Sequence, residues 1–171
     1  TATVCKRVVG MPGDLVRFRW LPGMPPQREV LVPSGSFVTD INVIRWAGGV
    51  PVLVDMNPDT LSFDLDDLKR KLTPKVRAII WVHLTGQISA EYAAIIEFAH
   101  ENSLALIEDC AHAHGSTWDG KHAGLFGIAG GFSFFPTKTL TSGEGGMIIT
   151  DDTSVYENAS MLRNQGKNPT L

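Results

Sequence analysis

Residues 78–109 read AIIWVHLTGQISAEYAAIIEFAHENSLALIED, which places an amphipathic segment between two apolar runs. The runs Ala78–Val82 and Leu104–Ile107 are continuously apolar, as the strands of a parallel sheet are when helices cover both of its faces. Between them, Glu91–Asn102 spaces its apolar residues at helical intervals. A strand, a helix and a second strand in this order predict one crossover unit of a parallel sheet.

The same alternation continues on both sides of this unit. The predicted helices are completed by Phe63–Leu72 and, less regularly, Asp40–Ala47. This pattern predicts an α/β fold, a three-layer sandwich around a mostly parallel sheet, whose ligands would collect at the carboxyl ends of the strands. The strands are predicted at Val30–Val32, Val50–Asp55, Ala78–His83, Leu104–Asp109, Phe132–Phe134 and Gly146–Thr150.

The composition argues against several classes of protein. A formal charge of -3 and a pI near 5.9 give no large basic surface, so neither nucleic acid nor an anionic membrane is an expected partner. Two cysteines, Cys5 and Cys110, are too few for a disulfide scaffold, and their spacing is not that of a zinc site. No apolar run approaches the roughly 20 residues that span a bilayer. We therefore expect a soluble, cytoplasmic protein.

The first 28 residues differ from the rest. Met11-Pro-Gly13, Leu21-Pro-Gly23 and Pro25-Pro26 interrupt them so often that no long helix or strand fits. We predict an irregular segment over residues 1–28 and a ligand-binding domain over residues 29–171.

Two side chains near predicted strand ends could carry chemistry. Asp109 ends a buried strand, where a carboxylate is costly to desolvate unless a cation such as a protonated pyridine nitrogen pairs with it. The alternative is that Asp109 caps the following helix. Lys138 follows an apolar strand and a Pro-Thr turn, and a partly desolvated, neutral amine can attack a carbonyl to form an imine. The alternative for Lys138 is an ordinary solvated lysine.

Two more side chains could contact a flat, phosphorylated ligand. Ser133 could donate to a phosphate together with nearby backbone amides, or it could be a satisfied strand hydroxyl. Phe37 could stack on a flat ring, or it could fill the core. The glycines at 143, 145 and 146 could allow close approach of a ligand, although a hairpin also explains them.

Histidines near Asp109 raise the question of a metal ion. His112 and His114 follow Asp109 closely, and His83 or His122 could complete a cluster. No HExxH or paired-cysteine spacing supports such a site, so no metal is predicted. A histidine three residues after the strand-end aspartate could instead hydrogen-bond a cofactor oxygen. No complete Walker-type or dinucleotide-type glycine pattern is present, which counts against nucleotide hydrolysis and hydride transfer.

These segments together resemble the DegT/DnrJ/EryC1/StrS family of pyridoxal-phosphate (PLP) aminotransferases. The resemblance runs from about Glu29 to about Gly166, with the segments in the order and spacing of the family. Two differences are Gln165, where a histidine is common, and the lack of a Gly-Thr or Gly-Ser phosphate-binding turn before the first segment. The segments are Val32–Phe37, Pro51–Asp55, Val82–Gly86, Ile107–Gly115, Phe132–Lys138 and Arg163–Gly166.

The resemblance implies a role for each candidate residue. It implies the large domain of a PLP-dependent transferase in which Lys138 holds PLP as a Schiff base and is the catalytic residue. Asp109 would pair with the pyridine nitrogen, and His112 would contact the ring hydroxyl. Ser133 would bind the phosphate, and Phe37 would stack on the ring. The implied cofactor-binding residues are Phe37, Asp109, Ala111, His112, Ser133 and Lys138.

The resemblance also implies an activity. An amino group would pass from an amino acid, glutamate or glutamine, to a keto sugar attached to a nucleotide, in an enzyme that is a homodimer when complete. Some relatives have histidine in place of the lysine and act as dehydratases, so Lys138 favours transamination. The alternatives are another PLP enzyme of the same fold type, such as a sugar dehydratase, and a truncated, inactive domain. The small carboxyl-terminal domain of the family is absent after Gly166, so we expect the isolated chain to be a poor catalyst.

Overall fold

The computed structural model describes residues 4–8 and 28–167. Within them, eleven strands, four α-helices and one short 3-10 helix (Leu84–Gly86) follow one another along the chain. The strands are β1 (Val4–Val8), β2 (Glu29–Pro33), β3 (Val50–Val54), β4 (Met56–Asn57), β5 (Ser62–Phe63), β6 (Val76–Val82), β7 (Ala105–Asp109), β8 (Thr117–Trp118), β9 (Lys121–His122), β10 (Ala129–Ser133) and β11 (Gly146–Thr150). The helices are α1 (Val38–Trp46), α2 (Leu65–Arg70), α3 (Tyr92–Glu101) and α4 (Thr153–Arg163).

Seven of the strands form the main sheet, in the order β1-β11-β10-β7-β6-β2-β3. The five strands from β10 to β3 pair parallel with one another. Strand β11 pairs antiparallel with both β10 and β1. Two short hairpins, β4-β5 and β8-β9, lie outside this sheet. The predicted α/β class and mostly parallel sheet are confirmed.

The central strands are apolar on both faces because helices cover each face. On one face, Leu31, Ile79 and Trp81 join a buried cluster that includes Ile95 and Phe98 of α3. On the other face, alternate residues of the same strands pack against α1. This arrangement is the predicted three-layer sandwich, and it explains why the central strands read as unbroken apolar runs. The residues of the second cluster are Val30, Val32, Ile44, Ala78, Ile80 and Val82.

Local sequence signals explain where two helices begin. The Asp64 side chain accepts a hydrogen bond from the Asp67 amide (2.8 Å) at the start of α2. Asp152 accepts hydrogen bonds from the Ser154 and Val155 amides, at 2.7 and 3.1 Å, at the start of α4. Both are aspartate N-caps, which satisfy amide groups that have no partner within the helix. Of the helices in the described ranges, none combines the length and apolarity that a bilayer crossing needs.

The predicted elements match the observed ones to within a few residues, with three exceptions. The prediction omitted α4 and the two hairpins. The structure also has a strand, Val4–Val8, inside the segment predicted to be irregular. The proline-rich turns predicted at residues 11–26 lie outside the described residues. The division of the chain into residues 1–28 and 29–171 stays a prediction.

The parallel arrangement brings the strand ends together at one edge of the sheet. Asp109, the last residue of β7, is level with Val82 of β6 and with Gly131 of β10. Strand β2 ends at Pro33, and the chain then enters α1 at Phe37. The loops after these strands therefore meet at a common edge, where the candidate residues lie.

Candidate functional site

Lys138 lies on the connection between β10 and β11. Hydrogen bonds from the Phe134 amide to Gly145 O (2.8 Å) and from the Ser142 amide to Phe134 O (3.0 Å) close the base of this loop. The Lys138 amide donates to Phe135 O at 3.0 Å, which forms a turn. The side chain of Lys138 is partly buried. These hydrogen bonds hold the two ends of the loop together, and the loop places Lys138 at the edge of the sheet where the parallel strands end.

Lys138 contacts one of the histidines predicted to lie in the site. Its Nζ is 3.2 Å from Nε2 of His112. A lysine ammonium can only donate, so in its charged form Nε2 is the acceptor and a neutral His112 then carries its proton on Nδ1. The next residue, Thr139, places Oγ1 3.1 Å from Nδ1 of His114. Two adjacent residues of the β10–β11 connection thus lie within hydrogen-bonding distance of two histidines on the loop after β7.

Close packing holds the loop after β7 in place. Gly86 has φ +85, and a Cβ there would lie only 2.5 Å from His112 O. Only glycine fits this approach without displacing the backbone. Ser116 Oγ also donates to Gly86 O at 2.6 Å. The position of His112 therefore depends on the turn that follows β6.

Asp109 lies at the strand end, as predicted, but it does not cap a helix. Its Oδ1 accepts a hydrogen bond from the Ala111 amide at 2.9 Å. The next element along the chain is the short strand β8, so the alternative of a helix cap is wrong. Asp109 is only partly buried, so its carboxylate is still accessible to a ligand at the sheet edge.

Phe37 lies at the start of α1, and Ser133 lies at the end of β10. The Phe37 side chain is 68% exposed, so the alternative that it fills the core is wrong. Ser133 ends β10, and its Oγ accepts a hydrogen bond from the Phe135 amide at 3.3 Å. The hydroxyl hydrogen of Ser133 therefore stays available to an acceptor. A Cβ built at Gly131, two residues earlier, meets no heavy atom within 4 Å, which leaves open space beside this strand end.

Asp40 is a residue that the sequence reasoning missed. It lies in the first turn of α1, is 8% exposed, and accepts a hydrogen bond from Ser36 Oγ. Burial, followed by the charge of Asp109, raises the pKa of Asp40 from 3.8 to about 7. No local signal indicates this contact, because a polar residue in the first turn of a helix is ordinarily exposed.

The candidate metal ligands do not assemble as considered from the sequence. Among the described residues, the group that could hold an ion is His83, Glu108 and Cys110, whose ligand atoms lie within 4.8 Å of one another. Glu108 is already satisfied by Nε2 of His83 (2.8 Å) and three backbone amides, those of Gly124, Phe126 and Gly127 (2.7 Å each). Burial, and then the carboxylates of Glu108 and Asp109, raise the pKa of Cys110 and oppose the thiolate that a metal needs. Glu108 thus ties His83 to the loop at residues 124–127.

Comparison with known proteins identifies the family of this chain. The sequence model of the DegT/DnrJ/EryC1/StrS aminotransferase family matches residues 18–170. The chain belongs to this family. The match begins ahead of the boundary predicted at Glu29. The matched residues include Asp109, His112 and Lys138.

Individual members of the family are also similar over most of the chain. The GDP-perosamine synthase of Escherichia coli O157:H7 is 39% identical over 144 residues, which are 84% of this chain and 39% of that protein. The L-glutamine:2-deoxy-scyllo-inosose aminotransferase of Micromonospora echinospora is 39% identical over 142 residues, 83% of this chain and 34% of that protein. The crystal structure of DesI in the presence of its TDP-sugar product superposes with a TM-score of 0.77 at 36% identity, covering 85% of this chain and 37% of DesI.

These matches establish the large-domain fold of PLP-dependent aminotransferases. The chain spans well under half the length of each relative it matches.

Proposed function

We propose that this chain is the cofactor-binding part of a PLP-dependent aminotransferase that moves an amino group from an amino acid to a sugar attached to a nucleotide. The observation that carries the proposal is the contact of Lys138 Nζ with His112 Nε2 at 3.2 Å, at the same sheet edge as Asp109. Family membership and the names of the relatives support it. Two separate segments supply these three side chains: the end of β7 with its following loop, and the connection between β10 and β11.

The residues at this edge fit the chemical groups of PLP. Asp109 offers carboxylate oxygen to a protonated ring nitrogen, and His112 offers a ring nitrogen beside the lysine amine. Ser133 keeps a hydroxyl donor free for the phosphate, next to the open space at Gly131. Phe37 exposes its ring at the start of α1, where it can stack on a flat ligand.

Bound PLP supplies an aldehyde that condenses with amines and a ring that takes up the electrons left when a proton leaves the amino-acid carbon. Lys138 Nζ would hold the cofactor covalently and, once an amino acid displaces it, would accept and return that proton. His112 would keep Nζ oriented. Asp109 would keep the ring nitrogen protonated through its negative charge.

The donor and acceptor are proposed from the relatives. A relative named for L-glutamine supports glutamine or glutamate as the donor. Relatives named for GDP-perosamine and for a TDP-sugar product support a nucleotide-linked sugar as the acceptor. A homodimer and a cytoplasmic location stay predictions from the sequence.

A reduction experiment tests the proposal. The chain is mixed with PLP, its absorbance is recorded before and after borohydride, and the modified peptide is located by mass spectrometry. We expect a long-wavelength band that borohydride removes, with the added mass on Lys138. Lys138→Ala should abolish the band, whereas the control Lys121→Ala, at an exposed lysine, should keep it.

Two outcomes would contradict the proposal. A band of normal intensity in Lys138→Ala would show that another amine holds the cofactor. The complete lack of a band in the wild-type chain and in the longer protein would favour a domain without cofactor chemistry.

A further inference from the structure

Asp40 and Asp109 form a pair of carboxyl groups at the proposed ring-nitrogen site. Ile41 of α1 and Ile107 of β7 pack against the same buried cluster, and Asp109 lies on the same face of the sheet as Ile107, so the start of α1 covers the end of β7, where the carboxyl groups of Asp40 and Asp109 interact. Asp40 is nearly buried, and the hydrogen bond from Ser36 Oγ to its Oδ2 fixes its orientation. Two carboxyl groups this close cannot both be ionised at low cost unless a proton or a cation lies between them.

The described residues give this pair no basic partner. Within residues 28–167, neither aspartate forms an ion pair with lysine, arginine or histidine. Helix α1 packs on β2 and β3. The titratable residue of β2 is Glu29, which lies at the opposite strand end and accepts a hydrogen bond from Thr73 (2.6 Å), and β3 has none. On α1 itself the other charge is Arg45 in the last turn.

The neighbouring charge thus comes from Asp109. Burial and this charge together raise the pKa of Asp40 to about 7, whereas the hydrogen bond from Ser36 favours the carboxylate and acts in the opposite direction. Around neutral pH the pair accordingly holds one proton in much of the population.

We infer that Asp40 is a positioning residue for Asp109: it holds a shared proton while no cation is bound and releases it to solvent when a cationic nitrogen pairs with Asp109. With the proton, the pair carries one negative charge and an O–H···O⁻ hydrogen bond orients the Asp109 carboxylate. Without it, the pair carries two negative charges beside the cation. The identity of the cation, the protonated ring nitrogen of PLP, rests on the function proposed above.

The first test needs no cofactor. In the chain labelled with ¹³C at the aspartate carboxyl carbons, one resonance should titrate near pH 7. It should vanish in Asp40→Asn. It should remain in Asp59→Asn, a matched control at an exposed aspartate. If every aspartate resonance of the wild-type chain finishes titrating below about pH 5, as unperturbed carboxyl groups do, the inference is wrong.

Stability gives an independent readout of the same proton. Between pH 3.8 and about 7 the native chain keeps a proton that the unfolded chain has lost, so stability should fall as the pH rises. Relative to Asp40→Asn, the folding equilibrium constant of the wild type should fall about tenfold per pH unit within this window. The stability of Asp59→Asn should depend on pH in the same way as that of the wild type. If the stability of the wild type and that of Asp40→Asn change with pH in parallel, the inference is wrong.

The second test concerns the cation. Because coupling is reciprocal, a cation that lowers the pKa of Asp40 by one unit binds about tenfold more tightly once Asp40 is ionised. The affinity for PLP, measured by fluorescence quenching, should therefore rise from pH 6 to pH 8.5 by about fivefold more in the wild type than in Asp40→Asn. Equal pH profiles would reject the link between Asp40 and the bound ring. If no PLP binds but an aspartate resonance still titrates near pH 7, the proposed function is wrong, whereas the shared proton of Asp40 and Asp109 is supported.

Discussion

Replacing Glu108 with glutamine should destabilise the chain strongly although the side chain keeps its shape. Glu108 is 1% exposed and accepts four hydrogen bonds, two on each carboxylate oxygen. The glutamine oxygen can keep the two bonds from Phe126 and Gly127. Its NH₂ group would then face the Gly124 amide, which is also a donor. His83 can adapt by changing its tautomer, but the backbone amide cannot.

The expected loss follows from these contacts. A buried amide without an acceptor costs about 1–3 kcal/mol, and two hydrogen bonds lose the added strength of a charged acceptor. Together the free energy of unfolding should fall by about 3 kcal/mol. For a chain of this size that lowers Tm by roughly 6–12 °C.

Thermal and urea unfolding of the wild type and Glu108→Gln measure this loss. Glu97→Gln, at an exposed position of α3, is the matched control and should shift Tm by less than about 2 °C. A shift just as small in Glu108→Gln would refute the assignment of Glu108 as the acceptor that fixes the loop at residues 124–127.

Three further predictions concern Asp109, Cys110 and Asp67. In a complete enzyme, Asp109→Asn should lower the transamination rate by roughly 100-fold or more while PLP content, read from absorbance, changes little; unchanged turnover would make Asp109 purely structural. The Cys110 thiol is buried and its pKa is raised by burial and the nearby carboxylates, so thiol reagents should modify it only after unfolding, as peptide mass spectrometry can show. The hydrogen bond from the Asp55 amide, followed by the hydrogen bond from Lys71, holds the pKa of Asp67 below 3.8. The stabilisation by the Asp67 carboxylate should therefore be present above pH 3.8 and disappear as the pH falls through the lowered pKa. Asp67→Asn should flatten the acid limb of the stability curve, and an unaltered limb would contradict this assignment.

The parallel core was predictable from the sequence because burial on both faces leaves a direct signature. Strands such as Ala78–Val82 read as apolar runs, and the amphipathic stretch between them spaces its residues as a helix does. Helix α4 left a weaker signature, since its one buried residue is Ser160 and its start depends on the Asp152 cap. The two-residue strands of the hairpins are too short for any alternation to show.

The candidate site was predictable where its residues follow strand ends or match family segments. Lys138 and His112 were both singled out, and the structure brings them together. Asp40 and Glu108 were missed for a physical reason. The role of Asp40 depends on Asp109, far away in the sequence, and the role of Glu108 depends on amides of a later loop. Pairings of this kind exist only once the sheet has brought distant segments side by side.

The pairing of β1 with β11 has a consequence for how the chain is made. Val4 lies opposite Thr150, so β1 finds its hydrogen-bonding partner only after the residues between the two strands have been synthesised and have left the ribosome. At about 5–20 residues per second, that delay is roughly 7–30 s. Throughout this interval the segment carries unpaired amide and carbonyl groups, which are a template for association with other nascent strands. Synthesis rate and chaperone access during those seconds should therefore influence the yield of correctly assembled protein.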